Sequence, residues 1–337
     1  MKFVTKIVVS LVLSTIVIFI FTGISCTLTP QGIQILSGDY TSPKFVSFKL
    51  TSENDATVDF SCPIDFEKIG LFSVEAETQI AVSSTKINDG SYQLKFDQNL
   101  DCTNLYSLEG NVKDSHGNTL YFKNTFQGYN SRVPEVQLNE IRTEYTKPKC
   151  EFVELLILSD GNLGGMELIT ASAGEDKVYI LPPAEVKSGE YVVIHLRKLE
   201  DESEDELDED ITLSSGTESG SWRDLWAENT SARIAKSDVV LLKDRINGKI
   251  VDAVLFAESS YSAWKNDFIE SCAKQAYEDG AWKNGYSVQN AVCSDGLTTS
   301  RTLSRISSGK TKDDWIVVAS KGCSMGGENS TVAYVTQ

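Results

Sequence analysis

Only two histidines, His116 and His195, occur in 337 residues, so imidazole catalysis and most transition-metal sites have few candidate ligands. No Cys-x-x-Cys pair occurs among the seven cysteines, which argues against structural zinc. Glycine at 23 residues and proline at 7 are too sparse for a collagenous or a wholly disordered chain. Positive charge is also short: 31 Lys and Arg against 48 Asp and Glu leave a net charge of −17 and a pI near 4.6. That field repels phosphate backbones and anionic headgroups, so a nucleic-acid partner is disfavoured. The motifs G-x-S-x-G and H-E-x-x-H are absent. Ser308-Gly-Lys-Thr311 resembles the end of a phosphate loop, but the leading glycine would fall at position 304, which is Ser. What remains is a globular composition, 41% apolar and 23% charged, with enough length for two ordinary domains.

Lys2 and Lys6 precede a nearly unbroken apolar run, Ile7 to Phe21, which reads as an export signal occupying residues 1–25. Gly23-Ile24-Ser25-Cys26 resembles the lipobox of bacterial lipoproteins in its looser spirochaete form, with Gly23 where the family usually carries Leu. The resemblance implies that Cys26 takes a diacylglycerol and becomes the first residue of the mature chain, with residues 26–36 as tether. An uncleaved membrane anchor and an ordinary cleaved signal stay open, and all three deliver the rest of the chain outside the cytoplasm. Acylation at about 0.8 kcal/mol per buried methylene would hold the protein on the membrane.

Six cysteines remain, an even number in an exported chain, which favours disulfides. The expected pairs are Cys62 with Cys102 and Cys272 with Cys293, which leaves Cys150 for Cys323.

From residue 37 to 131 short segments alternate apolar and polar residues: Phe45 to Leu50, Thr57 to Phe60, Gln79 to Val82 and Tyr92 to Phe96. Period two with turn signals predicts half-buried strands of a sandwich. Asp114-Ser-His-Gly-Asn118 reads as a turn, which makes His116 an exposed turn residue. That D-x-x-G-N turn before a final strand, Tyr121 to Phe126, resembles bacterial Ig-like domains of surface proteins. Gly128 to Pro134 reads as a linker. Beyond it, Leu138-Asn-Glu-Ile141, Glu151 to Ile157, Ser188 to Ile194, Ser237 to Asp244, Gly248 to Val254, Thr299 to Ile306, Asp313 to Ile316 and Gly326-Gly-Glu-Asn329 follow in order. In that order they resemble a lamin-tail domain, itself an Ig-like sandwich, over residues 132–337. The fold class expected is all-β: two Ig-like sandwiches after the signal segment, with insertions at about 199–220 and 259–298. The second insertion predicts a short helix over Asp267 to Asp279, with Asp267 as N-cap and Phe268, Cys272 and Ala276 on one face. Trp264, Trp282 and Tyr286 are expected to pack around the Cys272–Cys293 bridge.

Nine of the eleven residues from Glu200 to Asp210 are acidic, so the stretch is expected to be a solvated loop. Calcium is the one cofactor it suggests, although it lacks the glycine and regular spacing of a known cation loop. Glu140, Glu151 and Glu154 invite an acid/base reading. On one strand, however, Glu151 and Glu154 project to opposite faces, and structural roles are expected for all three. His195 lies on an apolar strand and is expected to be a hydrogen-bonded structural residue. The expectation is a non-enzymatic, lipid-anchored protein of the outer membrane or cell surface rather than the inner membrane. It would use its modules to bind a protein or glycan, with no catalytic residue and no metal. An accessory subunit of an extracellular nuclease or phosphatase, and a purely structural envelope component, are the rivals.

Overall fold

The computed structural model describes residues 39–199, 203–216, 218–227, 233–246 and 248–335. The expected signal segment, Cys26, the tether and residues 200–202 of the acidic run lie outside them. The described chain is mostly β and has two separate hydrophobic cores.

The first core is built by β1 (Phe45–Leu50), β2 (Asp55–Phe60), β3 (Asp65–Ser73), β4 (Gln79–Ile80), β5 (Val82–Asn88), β6 (Ser91–Phe96), β7 (Leu105–Lys113) and β8 (Thr119–Gln127). Two antiparallel four-stranded sheets result, β1-β2-β6-β5 and β4-β3-β7-β8. Alternation sends Ala56, Val58 and Phe60 of β2 and Tyr92, Leu94 and Phe96 of β6 inward, where they meet Leu71, Leu108 and Phe122 of the other sheet. Phe60 bridges the layers, its ring 5.9 Å from Phe66 and 5.5 Å from Phe122. The run Gln79 to Val82, expected as one strand, breaks at Ala81, so that β4 joins one sheet and β5 the other. His116 is exposed in its turn, where the Asp114 carboxylate accepts the backbone N–H groups of His116 at 2.9 Å and Asn118 at 2.8 Å. Asn118 also donates to the carbonyl of Asp39 at 2.9 Å, so the first described residue sits at this end of the unit. The chain leaves at Gly128, past the far end of β8, roughly 30 Å away at the usual strand rise.

Residues 128–134 are anchored at their centre. Asn130 is buried and donates to the carbonyls of Asn162 at 2.6 Å and Gly164 at 2.9 Å. The second core then follows from β9 (Val136–Arg142), β10 (Phe152–Ile157), β11 (Gly161–Asn162), β12 (Glu167–Thr170), β13 (Tyr179–Ile180), β14 (Glu185–Val186), β15 (Tyr191–His195), β16 (Arg223–Trp226), β17 (Asp238–Lys243), β18 (Ile250–Ala257), α1 (Asp267–Glu278), β19 (Val292–Cys293), β20 (Leu303–Arg305) and β21 (Trp315–Val317). A six-stranded sheet, β16-β15-β10-β9-β20-β21, and a five-stranded sheet, β13-β12-β17-β18-β19, share this core. Val153, Leu155, Val192 and Ile194 face Leu168, Val240, Leu242 and Val254 across it.

The helix is where its periodicity predicts, but its cap is Asn266, whose side chain accepts the N–H of Ile269 at 2.9 Å, rather than Asp267. Its buried stripe is Ile269, Cys272, Ala273 and Ala276, with Phe268 only half-buried, and it contributes to the second core. Trp282 is buried and Trp264 donates to the carbonyl of Tyr286 at 2.8 Å, so these rings pack rather than project.

The expected bridges are corrected. Cys62, Cys102, Cys150, Cys272, Cys293 and Cys323 are all free thiols. Cys62 follows the C-terminal end of β2, whereas Leu100, two residues before Cys102, hydrogen-bonds Glu53 beyond its N-terminal end. A six-residue strand is about 20 Å long, and a disulfide needs Cα atoms within about 7 Å. Cys272 is buried beneath α1, while strand alternation turns Cys293 outward, opposite to buried Val292. Arg142 donates to the backbone carbonyl of Cys150 and to the Cys323 sulfur, each at 3.2 Å, and no bond joins the two sulfurs.

Candidate functional site

The six-stranded sheet has one face on the core and one that carries charge. Across that outer face, pairing lines up Asp224 and Trp226 of β16, His195 of β15, Phe152 and Glu154 of β10, Arg142 and Glu140 of β9, and Ser304 of β20. All of these side chains are nevertheless buried. The reason is that other segments lie over them: residues 203–216 and 218–222 on one side, and a strap at residues 322–329 on the other.

Glu140 and Glu154 stand directly opposite one another on neighbouring strands. A register shift beside Glu154 places an extra residue in β9, so Asn139 as well as Glu140 turns to the outer face while Leu138 and Ile141 stay in the core. Asn139 donates to Glu154 at 2.6 Å, and the backbone N–H of Gly326 donates to the other oxygen at 2.5 Å. Glu140 accepts from Thr302, from Ser304 at 3.1 Å, and from the N–H and hydroxyl of Ser324, both at 3.0 Å. Asn329 closes the strap by donating to the carbonyls of Asn139 and Arg305, both at 2.9 Å. Burial pushes the Glu154 carboxyl up to about 8, the Gly326 and Asn139 donors opposing the rise and the neighbouring Glu140 adding to it. Glu140 is raised as well, by burial against its hydroxyl and amide donors.

Toward the other edge, His195 Nε2 lies 2.8 Å from Asp224, and its ring stacks on Trp226 at 3.9 Å. Trp222 donates to the same Asp224 oxygen at 2.9 Å. The second Asp224 oxygen and His195 Nδ1 have no partner among the described residues. The acidic run contributes here, contrary to the expectation of a wholly solvated loop. Glu206 is buried and accepts the N–H groups of Asp224 at 2.8 Å and Ser214 at 3.1 Å, which satisfies its carboxylate in place of water. Asp205 accepts the N–H of Trp226 at 2.7 Å. No group of three or more Cys, His, Asp or Glu side chains is arranged to hold a metal among the described residues.

Glu151 projects away from Glu154, as alternation requires, and forms a forked pair with Arg197 at 2.9 and 2.7 Å. The arrangement therefore brings together Glu140, Glu154 and His195 on one face and leaves Glu151 out. Chemically it offers a protonated carboxyl beside a hydrogen-bonded one, but every oxygen of the pair faces protein donors, and reaching it would require the strap to lift. Gly326 holds the strap against the Trp222 indole: its φ is +78°, and a Cβ there would come within 1.9 Å of the ring. Gly326→Ala is thus expected to displace the strap and cost about 1–3 kcal/mol. The denaturant midpoint and a red shift of tryptophan emission measure this, with Trp222→Phe as the assigning control; an unshifted midpoint would contradict it.

Residues 134–317, from the start of β9 to the end of β21, match a protein family described as TP_1001_2nd, protein second domain. The chain belongs to this family. The match takes in both sheets of the second core and the residues that line the outer face, but neither the first unit nor the strap. An uncharacterized protein of Treponema pallidum (strain Nichols) is 30% identical over 223 residues, which is 64% of this chain and 56% of that protein. The chain thus spans little more than half the length of this curated relative. Among solved structures, the N-terminal part of the bacterial S-layer protein SbsC aligns with 42% of this chain and 38% of its own, at 16% identity and a TM-score of 0.26. The S-layer protein rSbsC(31-844) aligns with 45% of this chain and 32% of its own, at 13% identity and the same score. At that score the likeness carries neither fold nor function across.

Proposed function

We propose that the protein is an exported, lipid-anchored component of the cell envelope. In this reading an Ig-like first unit is a spacer and a lamin-tail-like second unit is displayed for binding. The observation that carries it is the placement of the two ends of the first unit. Asp39 lies beside the Asn118 turn, and Gly128 lies roughly 30 Å away past β8. A chain tethered at Cys26 would therefore hold the second unit at the far end of the first, away from the bilayer. A non-enzymatic role is supported by the way Glu140, Glu151 and Glu154 are engaged, each by protein donors.

The test is the mature N-terminus. Mass spectrometry is expected to find an acylated Cys26, and Cys26→Ala is expected to move the protein from the detergent phase to the aqueous phase in a phase-partition assay. An unmodified Cys26, or a retained Lys2, would overturn the anchor. Release of product from nucleic acid or phosphoesters with Mg²⁺ or Ca²⁺, abolished by Glu154→Gln, would overturn the binding reading in favour of a hydrolase.

A further inference from the structure

The six-stranded sheet gains a further strand beyond β21. After the strap the chain returns, and Val332 to Tyr334 lie antiparallel to Val317 to Ala319. The N–H of Tyr334 donates to the carbonyl of Val317 at 2.7 Å, and the N–H of Ala319 donates to the carbonyl of Val332 at 2.8 Å. Val318 and Ala333 stand opposite one another between these bonds. They form a non-hydrogen-bonded pair, so the N–H and carbonyl of each point away from the other. Val318 turns its N–H inward to the carbonyl of Thr302 at 3.0 Å. Ala333 turns its own groups outward, where neither has a partner among the described residues. Tyr334 seats this added strand: the Arg301 guanidinium lies 4.2 Å from its ring, and a Cβ on Gly296 would come within 2.3 Å of it.

An open edge is a template for another strand, and proteins blunt their edges with lysine, proline, shortness or cover. The other edges of the described sheets are blunted. In the first unit β1, β5 and β8 carry Lys49, Lys86 and Lys123. The edge strands β4, β13 and β19 are two residues long. At β16 the backbone of Asp224 is already bonded to Glu206. The added strand has none of these devices. Residues 329–337 contain no charged side chain, no proline and no glycine. Val332 is 64% exposed and Val335 76%. In a chain of net charge −17, an uncharged stretch is where two copies meet with least repulsion.

We infer that two copies of this chain associate through this strand, antiparallel about a two-fold axis at Ala333, so that their six-stranded sheets join edge to edge. Antiparallel pairing sets outward-pointing backbone groups against outward-pointing ones, and an axis at Ala333 does this by placing Ala333 opposite its own copy. Val332 then meets Tyr334 and Thr331 meets Val335. The first of these is the β-branched and aromatic combination that stabilises strand pairs, and symmetry supplies each contact twice. The strand is thus its own complement, which makes a second copy the occupant. One strand pair is a small interface, so the dimer is weak and reversible.

The test is sedimentation equilibrium of the full chain in non-ionic detergent, from about 1 µM to about 0.5 mM. A monomer–dimer equilibrium is expected. Val332→Lys, at an exposed position that leaves the fold intact, puts a cation on both sides of the axis and is expected to weaken association about tenfold or more. A second measurement reads the register. Opposed Cα atoms of a hydrogen-bonded pair lie about 5.5 Å apart, within disulfide reach, so Ala333→Cys is expected to give a covalent dimer under mild oxidation, with peptide mapping placing the link at position 333. Val335→Cys, well off the axis, is not expected to link to its own copy. A monomer throughout, unchanged association in Val332→Lys, or linkage at position 335 in place of 333 would each overturn the inference. None of these results bears on the acylation of Cys26, so the two readings fail separately.

Discussion

Thermal stability is expected to fall as pH rises from about 5 to about 9, and Glu154→Gln is expected to flatten that slope. The buried Glu154 carboxyl has its folded-state value pushed up to about 8, above an ordinary 4.5. A group raised in this way binds its proton more tightly in the folded than in the unfolded chain. Its contribution is therefore fully present below the ordinary value and is lost as pH climbs through the raised one. Each unit of difference is worth about 1.4 kcal/mol, so the loss amounts to several kcal/mol between those limits. Glu140 is displaced in the same direction, and fully buried Asp238, raised to about 6 by burial against its Ser172, Ala235 and Val239 donors, steepens the lower part of the curve. Calorimetric midpoints across this range, for wild type and Glu154→Gln side by side, decide the matter. Equal slopes in the two proteins would show that Glu154 is not the source.

The second large effect is expected at Asp252 and Arg305. Their side chains, 2.5 Å apart, are both buried, and each is also tied to the start of β9. Asp252 accepts the N–H of Leu138 at 2.8 Å, and Arg305 donates to the Leu138 carbonyl at 2.6 Å. Arg305 further donates to Gly309 at 2.7 Å and lies 4.6 Å over the Trp315 ring. Removing one member leaves the other charge buried and uncompensated, so Asp252→Ala is expected to cost about 3–5 kcal/mol. The double variant Asp252→Leu with Arg305→Met is expected to recover a substantial part of that, because the stranded charge goes with its partner. Urea unfolding of the single and double variants measures both. A double variant no more stable than Asp252→Ala would show that the backbone bonds to Leu138, rather than the pairing of charges, are what matter.

The sequence carried local structure further than it carried the site. Alternation in Phe45 to Leu50 and Tyr92 to Phe96 matches β1 and β6 closely, and the four-residue spacing of Phe268, Cys272 and Ala276 located α1. These signals are local, since each residue's burial follows from its neighbours on one element. Glu140 and Glu154 were visible as candidates, but their pairing depends on which strands adjoin and on an extra residue in β9. No spacing rule encodes either. The partners of Glu140 lie 162 to 184 residues away, at Thr302 and Ser324. Cysteine parity misled for a similar reason: it counts thiols without knowing that Cys62 and Cys102 lie toward opposite ends of a strand. Acid density misled at Glu206, where two backbone donors supply what water would otherwise provide.

The strap over the outer face follows every strand of the sheet it seals. A chain threaded outward from its N-terminus would thus deliver the sheet before its cover. Until Ser324 and Gly326 arrive, Glu140 and Glu154 would keep only their Thr302, Ser304 and Asn139 donors, two carboxylates on adjacent strands without the donors of the strap. Loss of only that stretch should leave a protein whose first unit is sound and whose second is half-finished.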